Sequence, residues 1–530
     1  MTIQFPKRVR TNTTDLELAI REGCQPMQRL FDSVHRLPYF QNIIQGDNSF
    51  NALNESLSLG HMPGRWLDAL LAAEHAVGIR PDEAVIRRLA DIAYMALDHP
   101  IGLPRNLDMT TYGPANASHS HNLRESMHAF AALLRHRGET RALDAAKRQI
   151  AAVSRYYDFA AAVWKTEQLL QETGGKLGGA DWALPMHLGR YIGPLVKLYR
   201  ASGLEEALEQ AIRIKTLLFR CVFNEQGDYD PQRFGDHTHS TTSTLSSLAL
   251  LGDALGDKTI FDRIVAFMNN GLRHIALPFG WCLESNKRKD HCGEINNTGD
   301  ILETCLILGK RGYPGYWQQA EQIMRSHLLP AQLLDTCFVP EWDRPEEDGR
   351  HRMASRAKGA FGFPCPYGHE YEPGSRISFN YDIVGGGVSS LCAAYLAKVD
   401  RCGSLIGVNL HFDHRDDEIE VASPYPNGDT LELKLKKAHP VRVRLSDWVD
   451  RERVVASSRE RDDLRTVALG EWLYLFGLQA GDSATIRLPM AVRTVSYPFR
   501  GDTFTFRWRG DAVEAAASTG KRLTFFDELE

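Results

Sequence analysis

The sequence predicts a mainly α chain with a C-terminal all-β part: an (α/α)6 barrel over residues 1–402 followed by a β-sandwich over residues 403–530. Three observations carry this expectation. Apolar residues recur at i, i+3, i+4 and i+7 through the first three quarters of the chain, the period of amphipathic helices. Short turns containing Gly, Pro or Asn join these stretches into hairpins. After Gly403 the period changes to two, the mark of antiparallel strands.

Taken in order, an early helix occupies the region Asp15–Val34. His61-Met-Pro-Gly-Arg-Trp66 opens the next, which stops near Gly78, and Pro81-Asp-Glu starts its partner with the proline and early acids that helix N-termini prefer. Further first helices begin near Ser120, Pro185, Ser240, Asn296 and Asp382, and second helices near Thr140, Leu204, Lys258 and Pro314. The helix at Asp382 has no second helix after it, and the early helix supplies the missing partner. The starts lie roughly 50–90 residues apart, too irregular for a short solenoid repeat, so six hairpins closing into a ring fit better. The strands are expected at Leu405–Phe412, Glu418–Ala422, Thr430–Leu435, Val441–Leu445, Ala484–Leu488 and Phe504–Trp508.

Composition narrows the class. The chain is 43% hydrophobic and 24% charged, as ordinary globular proteins are, and its formal net charge of −5 with a pI near 6.5 gives no basic bias toward nucleic acid. The opening residues contain no apolar run of signal-peptide type and no later run is long enough to span a bilayer, so a cytoplasmic protein without a membrane partner is expected. Nine scattered cysteines without CxxC spacing point to reduced thiols.

In a ring of hairpins the first helices line the inside, and polar groups at their N-terminal ends converge on one mouth. Every start supplies such groups: His61 and Arg65; His119, His121 and Asn122; His187 and Arg190; His237 and His239; Glu294, Asn296, Asn297 and Asp300; Asn380, Tyr381 and Asp382. One cluster alone is an ordinary helix cap. Six at equivalent positions indicate a shared pocket. The stretch Pro340–Phe379 is too long for a routine connection and is expected to wall that pocket.

The segment Asp290-His-Cys-Gly-Glu-Ile-Asn-Asn-Thr-Gly-Asp300, the run Asp382-Ile-Val-Gly-Gly-Gly387 leading to Leu405-Ile-Gly-Val-Asn-Leu410, and the strands around Gly481–Met490 together resemble family 127 of the glycoside hydrolases, the β-L-arabinofuranosidase-like family. The resemblance implies an (α/α)6 barrel with β-sandwich domains, a carbohydrate substrate, and homodimerisation through the sandwich. It also implies a cysteine nucleophile on a zinc ion held by one glutamate and three cysteines. Here the sequence departs from the family. Glu294 is followed two residues on by Asn296 where the family has cysteine, and Tyr381-Asp382 or Asp382-Ile383 stands in place of its adjacent cysteine pair. No cofactor is therefore expected; zinc would need Cys282, Cys292 and Cys365 to regroup around Glu294.

Without the thiolate, hydrolysis needs one group to protonate the leaving oxygen and another to attack or to activate water. Glu294 and Asp382 are the expected catalytic carboxylates, with Glu284 or Asp300 as the second choice of acid, in a metal-independent glycoside hydrolase. His121, His187, Arg190, His239, Asn297, Asp300, Tyr367, Tyr381 and Trp182 are expected to bind the sugar, the imidazoles through one donor and one acceptor each and the aromatic rings through their faces. Two alternatives compete: a polysaccharide lyase using Tyr381 or His239 as base, and a non-catalytic carbohydrate-binding relative.

Overall fold

The computed structural model describes residues 11–44, 48–178, 184–369, 377–517 and 523–529. Six helices, α2 (Met62–Val77), α4 (Ser120–Arg137), α6 (Ile192–Ser202), α8 (Thr238–Leu255), α10 (Ile295–Lys310) and α12 (Asp382–Ala397), each pack against the next, and α12 packs back on α2. The cycle is closed. Each also carries a partner: α3 (Glu83–Leu97), α5 (Thr140–Tyr156), α7 (Glu205–Cys221), α9 (Lys258–Asn269), α11 (Gly315–Ile323) and, for α12, the early helix α1 (Leu16–Arg29). One start differs from the sequence reading. At Pro185 a five-residue helix, Pro185–Gly189, precedes α6, and the break between them falls at Arg190 and Tyr191.

The two sets of helices differ in chemistry for a physical reason. The partner helices bury one stripe, as in α9, where Ile260, Phe261, Ile264, Phe267 and Met268 are buried. The cycle helices are enclosed on all sides: every residue from Thr238 to Ala249 in α8 and from Ile295 to Leu302 in α10 is buried. Small side chains permit the close approach this demands. A methyl group at Gly64 would overlap the Glu125 carbonyl, and one at Gly386 would overlap the Asn296 side chain. Asp15, Asp82 and Asp257 cap α1, α3 and α9 by accepting from Leu18, Ala84 and Thr259. Gly78 ends α2 in the left-handed conformation, φ 63°.

Strands begin just before Gly403, since Val399–Cys402 forms a hairpin with Leu405–Val408. Two five-stranded sheets follow. The first also holds Val441–Arg444, Trp472–Phe476 and Arg465–Leu469; the second holds His414–Arg415, Ile419–Ala422, Thr430–Leu435, Ser483–Arg487 and Val455–Ser457. Their inward residues, among them Ile406, Val443 and Leu475 from one and Val421, Leu433 and Ile486 from the other, form a single apolar cluster. The last sheet, Val492–Phe499, Asp502–Arg509, Ala512–Ala516 and Asp527–Glu528, does not share it. Its Phe499, Phe504, Phe506 and Trp508 join the apolar core of the helices, with Phe499 edge-on to Trp281 at 5.2 Å between ring centroids. The stretch 340–369 works with it: Pro364 O accepts from Trp281 Nε1 and from Gly293 N, each at 2.9 Å, and so props the loop before α10. Among the described residues no helix is long and apolar enough to cross a membrane.

Replacing Gly64 by alanine is expected to cost about 1–3 kcal/mol by overpacking. Gly315→Ala, where an added Cβ meets nothing within 4 Å, serves as the control and should stay within about 0.5 kcal/mol in urea unfolding.

Candidate active site

The polar starts of the cycle helices meet around one buried carboxylate. Glu125, in the second turn of α4 and 0% exposed, accepts from Arg124 Nη1 at 2.9 Å and lies 3.5 Å from both Arg65 Nε and Arg190 Nη2. Burial opposes its ionisation, but the charges of Arg124 and Arg65 outweigh that and hold it far below the ordinary glutamate range. Burial brings Arg190 down to about 10 despite the carboxylate.

From this centre Arg65 reaches across to α10, where its Nη2 donates to Asn296 Oδ1 at 2.5 Å. A guanidinium only donates, so the Asn296 amide has one orientation: Oδ1 toward Arg65 and Nδ2 toward the carboxylates. Nδ2 donates to Glu294 Oε1 at 3.0 Å and to Asp382 Oδ2 at 3.2 Å. The two acids expected from the sequence are thus joined through one nitrogen. Their environments differ. Burial, with the charges of Asp382 and Glu284 added, raises Glu294 well above the ordinary range. Burial also works against the Asp382 carboxylate, but the hydrogen bond to His61 Nε2 at 3.2 Å and the charges of His61 and Arg65 overcome it and lower Asp382. Glu284 is a quarter exposed and stands 3.6 Å from Arg288 Nη1.

A row of imidazoles runs along the same mouth. His121 and His237 stack with centroids 4.7 Å apart, and His187 lies 6.1 Å from His121. Burial, reinforced by Arg190, keeps His121, His237 and His239 well below the usual imidazole range, so they are neutral. The tautomer of His239 follows from its neighbours. Its Nδ1 accepts from Arg190 Nη2 at 3.3 Å, leaving the proton on Nε2, which faces Asp300 Oδ2 at 3.3 Å.

No family profile and no curated protein matches the sequence. Solved structures do match in shape. A GH127 β-arabinofuranosidase aligns over 96% of this chain and 84% of its own with a TM-score of 0.59 at 13% identity. A GH127 β-L-arabinofuranosidase from Geobacillus stearothermophilus T6 covers 94% of this chain and 80% of its own, with a TM-score of 0.54 and 13% identity. The chain has their fold. A sugar epimerase from a ruminal bacterium matches 73% of this chain with all of its own, at a TM-score of 0.51 and 15% identity.

The zinc–thiolate expected of family 127 does not fit these residues. Among the described residues no thiol joins a group of three ligand atoms; Cys365 Sγ is 3.0 Å from Gly368 O, and burial pushes the Cys282 thiol up. Several residues expected to bind substrate are committed elsewhere. Asn297 gives its amide hydrogens to Thr238 Oγ1 at 2.9 Å and Leu283 O at 3.0 Å, and so staples the loop to α8. Tyr381 donates to Asn51 Oδ1 at 2.7 Å, and Tyr367 lies in the apolar core against Phe504. Asp300 accepts from Thr242 Oγ1 at 3.0 Å and sits beneath His239; burial pushes it up to about 7 against Arg124. Trp182 lies outside the described residues. Sequence reasoning gave no role to Glu125 or Arg124 and assigned none to His61, Arg65 or Asn296. The available signal was the charged pair Arg124-Glu125 one turn into the helix that opens at Ser120.

Removing the Glu125 charge leaves three guanidiniums around an uncharged amide, so Glu125→Gln is expected to cost about 3–5 kcal/mol at neutral pH. Because folding lowers the Glu125 pKa, its stabilisation is present above the ordinary glutamate range and fades as pH falls below it. The gap between wild type and variant in urea unfolding should narrow accordingly.

Proposed function

We propose that the chain is a glycoside hydrolase, an (α/α)6 barrel with a β-sandwich, in which Glu294 is the general acid and Asp382 the nucleophile. The observation that carries this reading is the split between two carboxyl groups that share the Asn296 amide, one held protonated and the other ionised. An acid must carry its proton at neutral pH and a nucleophile must not.

Attack by Asp382 on the anomeric carbon is the retaining route. One nitrogen bonded to both acids, at 3.0 and 3.2 Å, keeps their nearest oxygens on the same small site. Glu294 gives its proton to the glycosidic oxygen as the bond to the anomeric carbon breaks and an Asp382 oxygen bonds to that carbon. Water then loses a proton to the Glu294 carboxylate, adds to the same carbon and frees Asp382. His121 and His187 contact sugar hydroxyls at the mouth, and Asp300, Arg190 and His239 form the wall behind them. The lyase alternative has less support, since the Tyr381 phenol is donated to Asn51 and His239 Nδ1 accepts from Arg190.

Hydrolysis of a panel of aryl glycosides and oligosaccharides tests the reading. Glu294→Gln and Asp382→Asn are each expected to lower kcat/KM by about 10²–10⁴-fold. The pH profile should be bell-shaped, with its acid limb below the usual carboxylate range and its alkaline limb well above it, and the alkaline limb should vanish in Glu294→Gln. An unsaturated product, or release unchanged in both variants, would overturn the assignment.

A further inference from the structure

The histidine row contains a feature that hydroxyl recognition does not require. One ligand atom each from His121, His187 and His237 lies within 4.8 Å of the other two. Ser240, in the first turn of α8, sits behind two of these rings: its Oγ is 2.9 Å from His187 Nδ1 and 3.0 Å from His237 Nδ1. A serine oxygen has two lone pairs and can accept from both. Through Nδ1 the same hydroxyl holds both rings in place. Orientation of a ligating imidazole through a hydrogen bond on its other nitrogen is the usual support for a metal site.

We infer that His121, His187 and His237 form a binding site for one divalent transition-metal ion, with Ser240 orienting two of the three ligands. Three imidazoles with a fourth position open to water or a sugar hydroxyl make a set that zinc or cobalt takes tetrahedrally. Around such an ion, with bonds of ~2.0–2.1 Å, ligand nitrogens stand ~3.4 Å apart, so the rings must close by about 1.5 Å at most. His121 and His237 are half-buried, and His187 is the buried member of the trio. A second trio, His237, His239 and Glu294, meets the same distance criterion. It is the weaker site because Arg190 Nη2 already donates to His239 Nδ1 at 3.3 Å. The ion differs from a zinc–thiolate in its ligands, and with it bound the sugar hydroxyls assigned to His121 and His187 meet its open position instead of the imidazole nitrogens.

The test is a titration of the tag-free full chain with Co²⁺ in the absence of sugar, read by calorimetry and by visible d–d absorption. Wild type is expected to bind one equivalent with the intense bands of a four-coordinate nitrogen site. His121→Gln, His187→Gln and His237→Gln should each abolish saturable binding, with far-ultraviolet circular dichroism confirming the fold. Ser240→Ala should weaken binding by about 10–100-fold, and Glu294→Gln should leave it unchanged. Absence of one-equivalent binding in wild type would overturn the site. So would binding that survives His121→Gln and His187→Gln yet disappears in His239→Gln or Glu294→Gln, which would move the ion to the other trio.

Discussion

The Glu125 carboxylate, surrounded by Arg65, Arg124 and Arg190, is the constraint from which the site is built. Three buried guanidiniums are tolerable only where an anion meets them, and the desolvation of each is several kcal/mol. Gathering all three against one carboxylate ties together α2, α4 and the break before α6. It also fixes what the arginines can reach with their remaining donors. Arg65 orients Asn296, Arg190 sets the tautomer of His239, and Arg124 faces Asp300 at 3.5 Å. The helices around this centre approach so closely at Gly64 and Gly386 that backbone and side chain fill the axis. A cavity of about 20 Å³ there is lined by Arg65, Asp68, Arg124, Lys197 and Asp300.

On that base, residues at two helix starts act together. In the fold Asn296, Asp382 and Glu294 form one hydrogen-bonded unit. An amide joining two carboxyl groups favours neither charge state by itself. The asymmetry comes from outside the unit: His61 and Arg65 flank Asp382, whereas Glu294 has Asp382 and Glu284 as charged neighbours. The proposed division of labour between acid and nucleophile rests on this placement of charges.

The C-terminal strands contribute at a distance. Buried Glu321 on α11 accepts from Arg325 Nε at 2.8 Å and His411 N at 2.9 Å and pairs with Arg444, tying helices to strands through one anion. The last sheet goes further and enters the helical core, where Phe499 and Phe504 pack around Trp281. The loop that carries Glu284 and leads to Glu294 is therefore held from behind by aromatic packing and by Pro364.

Local pattern alone placed the long helices and six of the C-terminal strands. The 3.6-residue period of the partner helices, the caps at Asp15, Asp82 and Asp257, and the alternation of Thr430–Leu435 are short-range properties that a sequence states directly. The convergence of Glu294 and Asp382 was also legible, because both open helices at equivalent points of a repeating pattern. What the sequence could not state is which polar atoms face each other. Asn297 and Asp300 share a helix with Asn296, yet the first staples a loop, the second supports a histidine and the third joins the two acids. Tyr381 precedes Asp382 and turns to Asn51 instead. Those assignments depend on closure of the ring, which brings residues 61, 125, 190, 239, 294 and 382 within hydrogen-bond reach across hundreds of residues. Only the tertiary structure decides such pairings, because hydrogen bonds and buried charges are fixed by proximity in space and leave no period in the sequence.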